Sequence, residues 1–471
     1  MNEFEKFAKI YTQLLPHQQR AVDRLQNQEG LVVAHGLGTG KTLASIAAGE
    51  RNPGNTEVLL PASLMGNYEK EVQKHTRGSF KPKIESMQKA VMGSGLSPTD
   101  LLIVDETHRA RELNSKLRGL IANAPAKKRM LLTASPLYNR PSDVASLVDL
   151  AAGKNVLPLG KAFDERYVEQ PSKSWSAFLP WSIKEPRLRN KAELGKILRH
   201  WVDYEAPSGD FPEKSEEKIQ VSMSPEQTKL HDFAWGKLPW MSRLRLKAGL
   251  PPGKKDLPRL NAFESQTRQL SGSMDKFDPT PGDTEPAPKT QRAVDEVMKR
   301  LKTNPKSKTL VYSNYLSNLQ DYAKLLDRQK VPYQLFTGNE NRGNKDKAVK
   351  AYNAGKAKAL LVSSAGGEGL DLKGTRLVQV LEPHWNDEKL EQVIGRAARR
   401  GSHAALPEDQ RNVNIQRYES YPRPGFIGRL FGSKPKGIEQ VLSTMSENKK
   451  RLNDQVLELL RNGEKKGPGK P

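Results

Sequence analysis

Residues 31–42 read Leu-Val-Val-Ala-His-Gly-Leu-Gly-Thr-Gly-Lys-Thr, an apolar run followed by a glycine-rich turn and a lysine-threonine pair. The apolar run Leu31 to Ala34 predicts a short buried strand, Gly36, Gly38 and Gly40 permit a tight turn, and Leu43, Ala44, Ile46, Ala47 and Ala48 continue as a helix. Backbone N–H groups in such a turn converge on phosphate oxygens, and the start of the helix adds partial positive charge. In this reading Lys41 reaches the β- and γ-phosphates of a nucleotide and the Thr42 hydroxyl faces Mg²⁺. One position departs from the pattern G-x-x-x-x-G-K-[ST]: His35 stands where the first glycine is usual.

Working outward, Leu101-Leu102-Ile103-Val104 predicts a strand buried on both faces, and Asp105-Glu106-Thr107-His108 follows at its carboxyl end. That is where a doubly wound sheet presents ligand groups, so Asp105 is expected to hold Mg²⁺ and Glu106 to polarise the attacking water. Far downstream, Gln392-Val-Ile-Gly395-Arg396-Ala-Ala-Arg399-Arg400 places two arginines three residues apart, on one face of a helix. A phosphate cradle near one end and paired arginines near the other suit two lobes closing on one nucleotide, Arg396 and Arg399 neutralising charge on the transferring phosphoryl group.

Further segments accompany these in order: Leu15-Pro16-His17-Gln18, Leu59-Leu60-Pro61-Ala62-Ser63-Leu64, Leu131-Leu132-Thr133-Ala134-Ser135-Pro136 with Asn139, Ser363-Ser364-Ala365-Gly366-Gly367-Glu368-Gly369-Leu370-Asp371-Leu372, and Pro383-His384-Trp385-Asn386. From about residue 12 to about 460 the chain resembles a superfamily 2 helicase-type ATPase of the Snf-like branch, which includes chromatin-remodelling motors. Ser402-His403, Leu406-Pro407 and Arg411-x-Val413 resemble the compact NTPases of phages and large DNA viruses, whereas Ala398 and Gly401-Ser402 depart from the remodeller pattern.

The resemblance implies ATP and Mg²⁺ as cofactors and two RecA-like α/β lobes in tandem, each a doubly wound parallel sheet, with the ATP site in the cleft and a C-terminal helical brace. It implies ATP contacts from Gln18, which reads adenine, from Gly36, Gly38, Thr39, Gly40, Lys41 and Thr42, and from Gly369, Asp371 and Gln392 in the second lobe. Thr42 and Asp105 would hold the metal, and His108, Thr133 and Ser135 would couple ATP state to lobe movement. Ser63, Ser313, Ser364 and Trp385 match positions near a tracked phosphate backbone, which hydroxyls and amides touch without reading sequence.

Composition is in keeping with this. The formal charge of +23 over 471 residues suggests a polyanionic partner, and the absence of cysteine excludes disulfides and thiolate metal sites. No apolar run approaches the roughly 18 residues that would cross a bilayer, and no signal-type amino terminus is present, so the expectation is a cytoplasmic, non-secreted protein without a membrane role, in the host cytoplasm if a phage or virus encodes it.

The organisation expected is 1–220 for the first lobe with a helical extension bearing Trp175, Trp181 and Trp201, and 221–288 for a linker or insertion rich in proline and charge. Residues 289–425 would form the second lobe, and 426–471 a brace helix from Ile438 to Leu460 followed by a disordered basic tail. The leading functional reading is an ATP-driven monomeric translocase on duplex DNA, with RNA also open. The alternatives are a strand-separating helicase on forked, branched or RNA–DNA hybrid substrates, and a nucleic-acid-binding or virion structural protein with an idle ATPase.

Overall fold

The computed structural model describes residues 12–137, 140–169, 187–247, 257–274, 285–364, 370–382, 388–424 and 437–461. The chain forms two compact units, one from the described residues up to 169, 187–209 and 449–461, the other from 210–448.

The first unit holds a six-stranded, all-parallel sheet made of β1 (Gly30–His35), β2 (Thr56–Leu60), β3 (Lys83–Ser86), β4 (Thr99–Val104), β5 (Ala126–Thr133) and β6 (Val202–Glu205), in the order β3-β2-β4-β5-β1-β6. Successive side chains of a strand point to opposite faces, so the apolar runs divide between two cores. Val32, Ala34, Leu102, Val104 and Leu131 enter one, and Leu31, Val33, Leu101, Ile103, Met130 and Leu132 enter the other. Both faces are therefore covered, which is why these strands lack polar alternation.

The second unit repeats the plan with β7 (Glu213–Ser222), β8 (Thr309–Ser313), β9 (Tyr333–Phe336), β10 (Ala359–Ser363), β11 (Leu377–Val380) and β12 (Asn412–Tyr421), ordered β7-β12-β11-β8-β10-β9 and again all parallel. Leu310, Leu360, Val362, Val378 and Ile415 pack on one face, and Val311, Leu361, Leu377 and Tyr418 on the other. A buried polar network crosses this second core: the Tyr322 hydroxyl donates to Gln379 Oε1 at 2.6 Å, and Gln379 Nε2 donates to the Ala293 carbonyl at 2.9 Å.

Residues 221–288, expected to form a linker or insertion, contain helices Pro225–Gly236, Trp240–Lys247 and Leu257–Gly272. Their Leu238, Leu246 and Phe263 share a small core with Val441 and Leu442. The proline-rich segments 248–256 and 275–284 lie outside the described residues, as do Trp175, Trp181 and the tail 462–471. Trp201 closes the helix Lys191–Trp201 and is buried. A helix runs Ile438–Arg461, over the residues expected to be helical. In its first turn Glu439 meets Lys289 at 2.9 Å with neither side chain exposed, and it accepts a hydrogen bond from Ser271 Oγ at 2.6 Å. Its last turns bury Val456 and Leu460 in the first unit.

What fixes the phosphate loop lies on β6. Asp203, paired in register with Val33 of β1, is fully buried, and its carboxylate accepts from His35 Nε2 at 2.7 Å, Arg20 Nε at 3.0 Å and Arg24 Nη1 at 3.0 Å. Burial alone would raise its pKa, but the hydrogen bonds from His35 and Arg20 and the charges of Arg20 and Arg24 outweigh that and draw it down to about 2. A carboxyl depressed below its unfolded value near 3.8 stabilises the fold fully above that value, and the contribution disappears as pH falls through about 2. Asp203→Asn should therefore cost roughly 2–4 kcal/mol at neutral pH. Urea melts of the two proteins should converge as the pH is lowered from about 5 towards 2, and a constant difference across that window would contradict the assignment.

Candidate functional site

The loop between β1 and the helix Lys41–Arg51 is a compact backbone cradle. Gly38 and Gly40 adopt φ of 79° and 77°, where a side chain is strained, and Gly40 is the N-cap of the helix. At Gly36 a Cβ would lie 2.4 Å from the Pro207 nitrogen, so no larger residue fits. Thr39 Oγ1 donates to the Gly36 carbonyl at 2.7 Å and closes the turn from within. Lys41 Nζ folds back into it, donating to the carbonyls of His35 at 2.7 Å and Gly36 at 3.0 Å. Burial lowers the pKa of Lys41, while Asp105 and Glu106 pull it the other way. Thr42 follows, half-buried in the first turn.

Gln18 sits beside the cradle, almost fully buried on the helix Pro16–Gln26. Its amide nitrogen donates to the Thr39 carbonyl at 2.9 Å, and its amide oxygen accepts from Leu15 N–H at 2.9 Å. His17 Nε2 lies 2.8 Å from the same Thr39 carbonyl. The element expected to read adenine thus touches the phosphate loop, and Arg20 and Arg24 of the same helix bind Asp203, which also holds His35. His35 departs visibly from the motif pattern, whereas Asp203, a lone aspartate 168 residues away, carries no local signal.

Asp105 and Glu106 leave the carboxyl end of β4, beside β5, which in turn lies beside β1. Asp105 N–H donates to the Leu59 carbonyl at 2.9 Å, and Glu106 turns the chain with φ of 49°. Burial, with the charge of Glu106 adding to it, raises the Asp105 pKa to about 6. Burial also acts to raise Glu106, but the hydrogen bond and charge of His108, with Lys41 and Arg109, prevail and hold it below the usual glutamate range. His108 Nδ1 is 3.1 Å from Glu106 Oε2. Burial thus makes the Asp105 anion the costlier of the two, while His108 keeps Glu106 anionic.

The coupling candidates on β5 make local contacts. Thr133 Oγ1 donates to the Ser135 carbonyl at 2.7 Å, and Ser135 Oγ donates to the Leu137 carbonyl at 2.7 Å, so both hydroxyls satisfy the turn that follows the strand. Ser63 is exposed in the turn after β2, at the same carboxyl edge.

In the second unit, Gln392 and Arg396 are exposed on the helix Glu388–Ala397. Arg399 does not share that face as the spacing suggested, because the helix ends at Ala397. Arg399 instead pairs with Asp371 at 3.5 Å, both about half exposed. Asn353 Nδ2 donates to the Asp371 carbonyl at 2.8 Å and steadies that partner. Ser364 is half-buried after β10. Ser313, expected near a tracked phosphate, is fully buried, and its hydroxyl donates to Glu382 Oε2 at 2.8 Å. Gly369, Trp385 and Asn139 lie outside the described residues.

Residues 82–238 match the SNF2-related domain, and residues 290–401 match the helicase conserved C-terminal domain. The chain is 28% identical over 450 residues to a protein of Acanthamoeba polyphaga mimivirus named as an ATP-dependent RNA helicase, L538, covering 93% of this chain and 94% of that one. It is 25% identical over 453 residues to the ISWI chromatin-remodeling complex ATPase ISW1 of Saccharomyces cerevisiae, covering 84% of this chain and 38% of that one. With the termination factor NPH-I homolog of African swine fever virus it shares 21% identity over 512 residues, covering 88% and 72%. With its two all-parallel six-stranded sheets and both domains matched in order, the chain belongs to the SNF2-like helicase-type ATPases.

Proposed function

We propose that the chain hydrolyses ATP to move along duplex DNA without marked sequence preference, as a monomer. The observation that carries this reading is the carboxyl edge of the first sheet, where a glycine cradle encloses Lys41 beside two carboxylates held in different protonation ranges. Lys41 and the loop amides would bind the β- and γ-phosphates. Magnesium usually takes one or two carboxylates together with substrate phosphates, and the Asp105 carboxylate, whose buried charge a cation would offset, with the Thr42 hydroxyl fits that requirement. Bound there, the ion would supply charge neutralisation on the phosphates. Glu106, kept anionic by His108, would orient water for in-line attack. Arg396, exposed on the second lobe, and Arg399, released from Asp371, would neutralise the transferring phosphoryl group.

The duplex preference is supported by the net charge of +23 and by the likeness to a chromatin-remodeling ATPase. Exposed Ser63 and half-buried Ser364 remain as backbone contacts in this reading, with Trp385 a further one. A second reading, movement on RNA, is favoured by the name of the mimivirus relative L538.

Lys41→Ala should abolish turnover while leaving nucleic-acid binding largely intact, because the basic surface is spread along the chain. Turnover and binding measured on one preparation test this, and unchanged turnover would remove the cradle from the reaction. Comparing stimulation by duplex DNA, single-stranded DNA, RNA and branched DNA separates the two readings. A translocase on duplex DNA should be stimulated most by duplex and should displace a triplex-forming strand while releasing little single strand from a tailed duplex. Preferential stimulation by RNA would favour the second reading.

Arginines that act on the transition state contribute little to nucleotide affinity. Arg396→Ala and Arg399→Ala should each lower kcat by about 10³-fold with a much smaller change in ATP affinity. Near-normal turnover in both would make these arginines surface features.

A further inference from the structure

The helices Pro225–Gly236 and Trp240–Lys247 of the second unit have two unlike sides. On the inner side His231, Ala234, Trp235 and Leu238 recur at helical spacing. His231 stacks on Trp235 with centroids 6.2 Å apart, and Trp235 meets Phe263 at 5.6 Å. This stripe, together with Leu246, Val441 and Leu442, accounts for the core that holds the pair in place. Phe233 falls on the opposite side of its helix, with Lys237 one turn further along. Phe233 is 65% exposed, Trp240 62% and Met241 38%, so none of the three is needed for that core. Single exposed apolar side chains are ordinary, but three large ones within residues 233–241 are a concentration of the kind that marks an interaction surface.

The charge around these rings indicates what that is. Residues 225–247 contain five Lys or Arg against two Asp or Glu. Lys237 Nζ rides 4.2 Å from the centroid of the Phe233 ring. Exposed rings interleaved with cations suit a polyanion that also offers flat π faces, and nucleic acid supplies both. In a duplex those faces are already stacked on one another, whereas unpaired nucleotides present them freely.

We infer that Phe233 and Trp240 form a stacking surface for unpaired nucleobases, with Lys237 and its basic neighbours holding the adjoining phosphates. The inference rests on the nucleic-acid-dependent activity proposed above and adds to it a contact for a single strand, where a duplex opens or ends. The shared chemistry is the unpaired base, in DNA or RNA.

The test uses the full chain as wild type, Phe233→Ala, Trp240→Ala, the double variant, and Phe233→Trp with Trp240→Phe to restore stacking. Anisotropy of labelled oligonucleotides measures affinity for single-stranded DNA, single-stranded RNA and blunt duplex DNA, alongside ATP turnover at saturating duplex. Both side chains are exposed, so the alanine variants should fold, and circular dichroism checks this. The double variant should bind single strands roughly tenfold or more weakly, in keeping with the loss of base–aromatic stacking. Blunt-duplex affinity and duplex-stimulated turnover should change less than about twofold, since the stacking term is absent there, and the ring-preserving variant should recover single-strand binding. Equal weakening on single strand and duplex, or no weakening on either, overturns the inference. So does a wild type that self-associates and a double variant that does not, with nucleic-acid affinity unchanged, because the patch would then be a protein interface. A wild type whose turnover no polynucleotide stimulates overturns the functional reading itself, and that result appears in the wild-type arm alone.

Discussion

The buried carboxylate of Asp203 is the constraint on which the first lobe's site depends. An ionised group at that depth is tolerable only while cations and hydrogen-bond donors surround it, and it obtains them from β1 and from the helix Pro16–Gln26 at once. His35 is drawn to β6 and Arg20 and Arg24 to the same point. Gln18, two residues before Arg20 on the same helix, is thereby set against the loop carbonyls. The shape of the cradle is thus determined partly by a residue on another strand, which reaches it through His35. His35 in place of the usual glycine then has a physical role, because a glycine could not supply the Nε2–H that Asp203 accepts.

Much of the fold was legible because parallel strands buried on both faces must be apolar throughout. Leu31–Ala34 and Leu101–Val104 announce themselves in that way. β12 did not, although it lies between β7 and β11. It reads Asn-Val-Asn-Ile-Gln-Arg-Tyr-Glu-Ser-Tyr, and its polar side chains are buried through partners that only the fold supplies. Gln416 Nε2 donates to Glu217 at 2.8 Å, the Tyr418 hydroxyl bonds Gln416 at 2.8 Å, and Ser420 N–H donates to Glu439. β3 and β6 are four residues each, too short and too polar to stand out by periodicity.

The candidate site divides along the same line. Lys41, Asp105 and Glu106 were readable because their chemistry is local: a turn, a strand end and two adjacent carboxyls. Arg399 and Ser313 were less so, since the first depends on where a helix stops and the second on a glutamate 69 residues later. The helices between 225 and 272 were hidden by the proline-rich segments around them, although Leu238, Leu246 and Phe263 needed a core of their own.

Glu106 holds a left-handed backbone conformation, with φ of 49° and ψ of 42°. That conformation is uncommon for a residue bearing a Cβ and is closed in practice to β-branched side chains. The position therefore imposes two filters, one on chemistry and one on backbone shape. A neutral glutamine passes the second and fails only the first, whereas valine or isoleucine fails both and would distort the turn that carries His108. Of the replacements that remove the charge, the amide alone isolates the chemistry from the shape, and drift at this position is restricted to the few residue types that tolerate the turn.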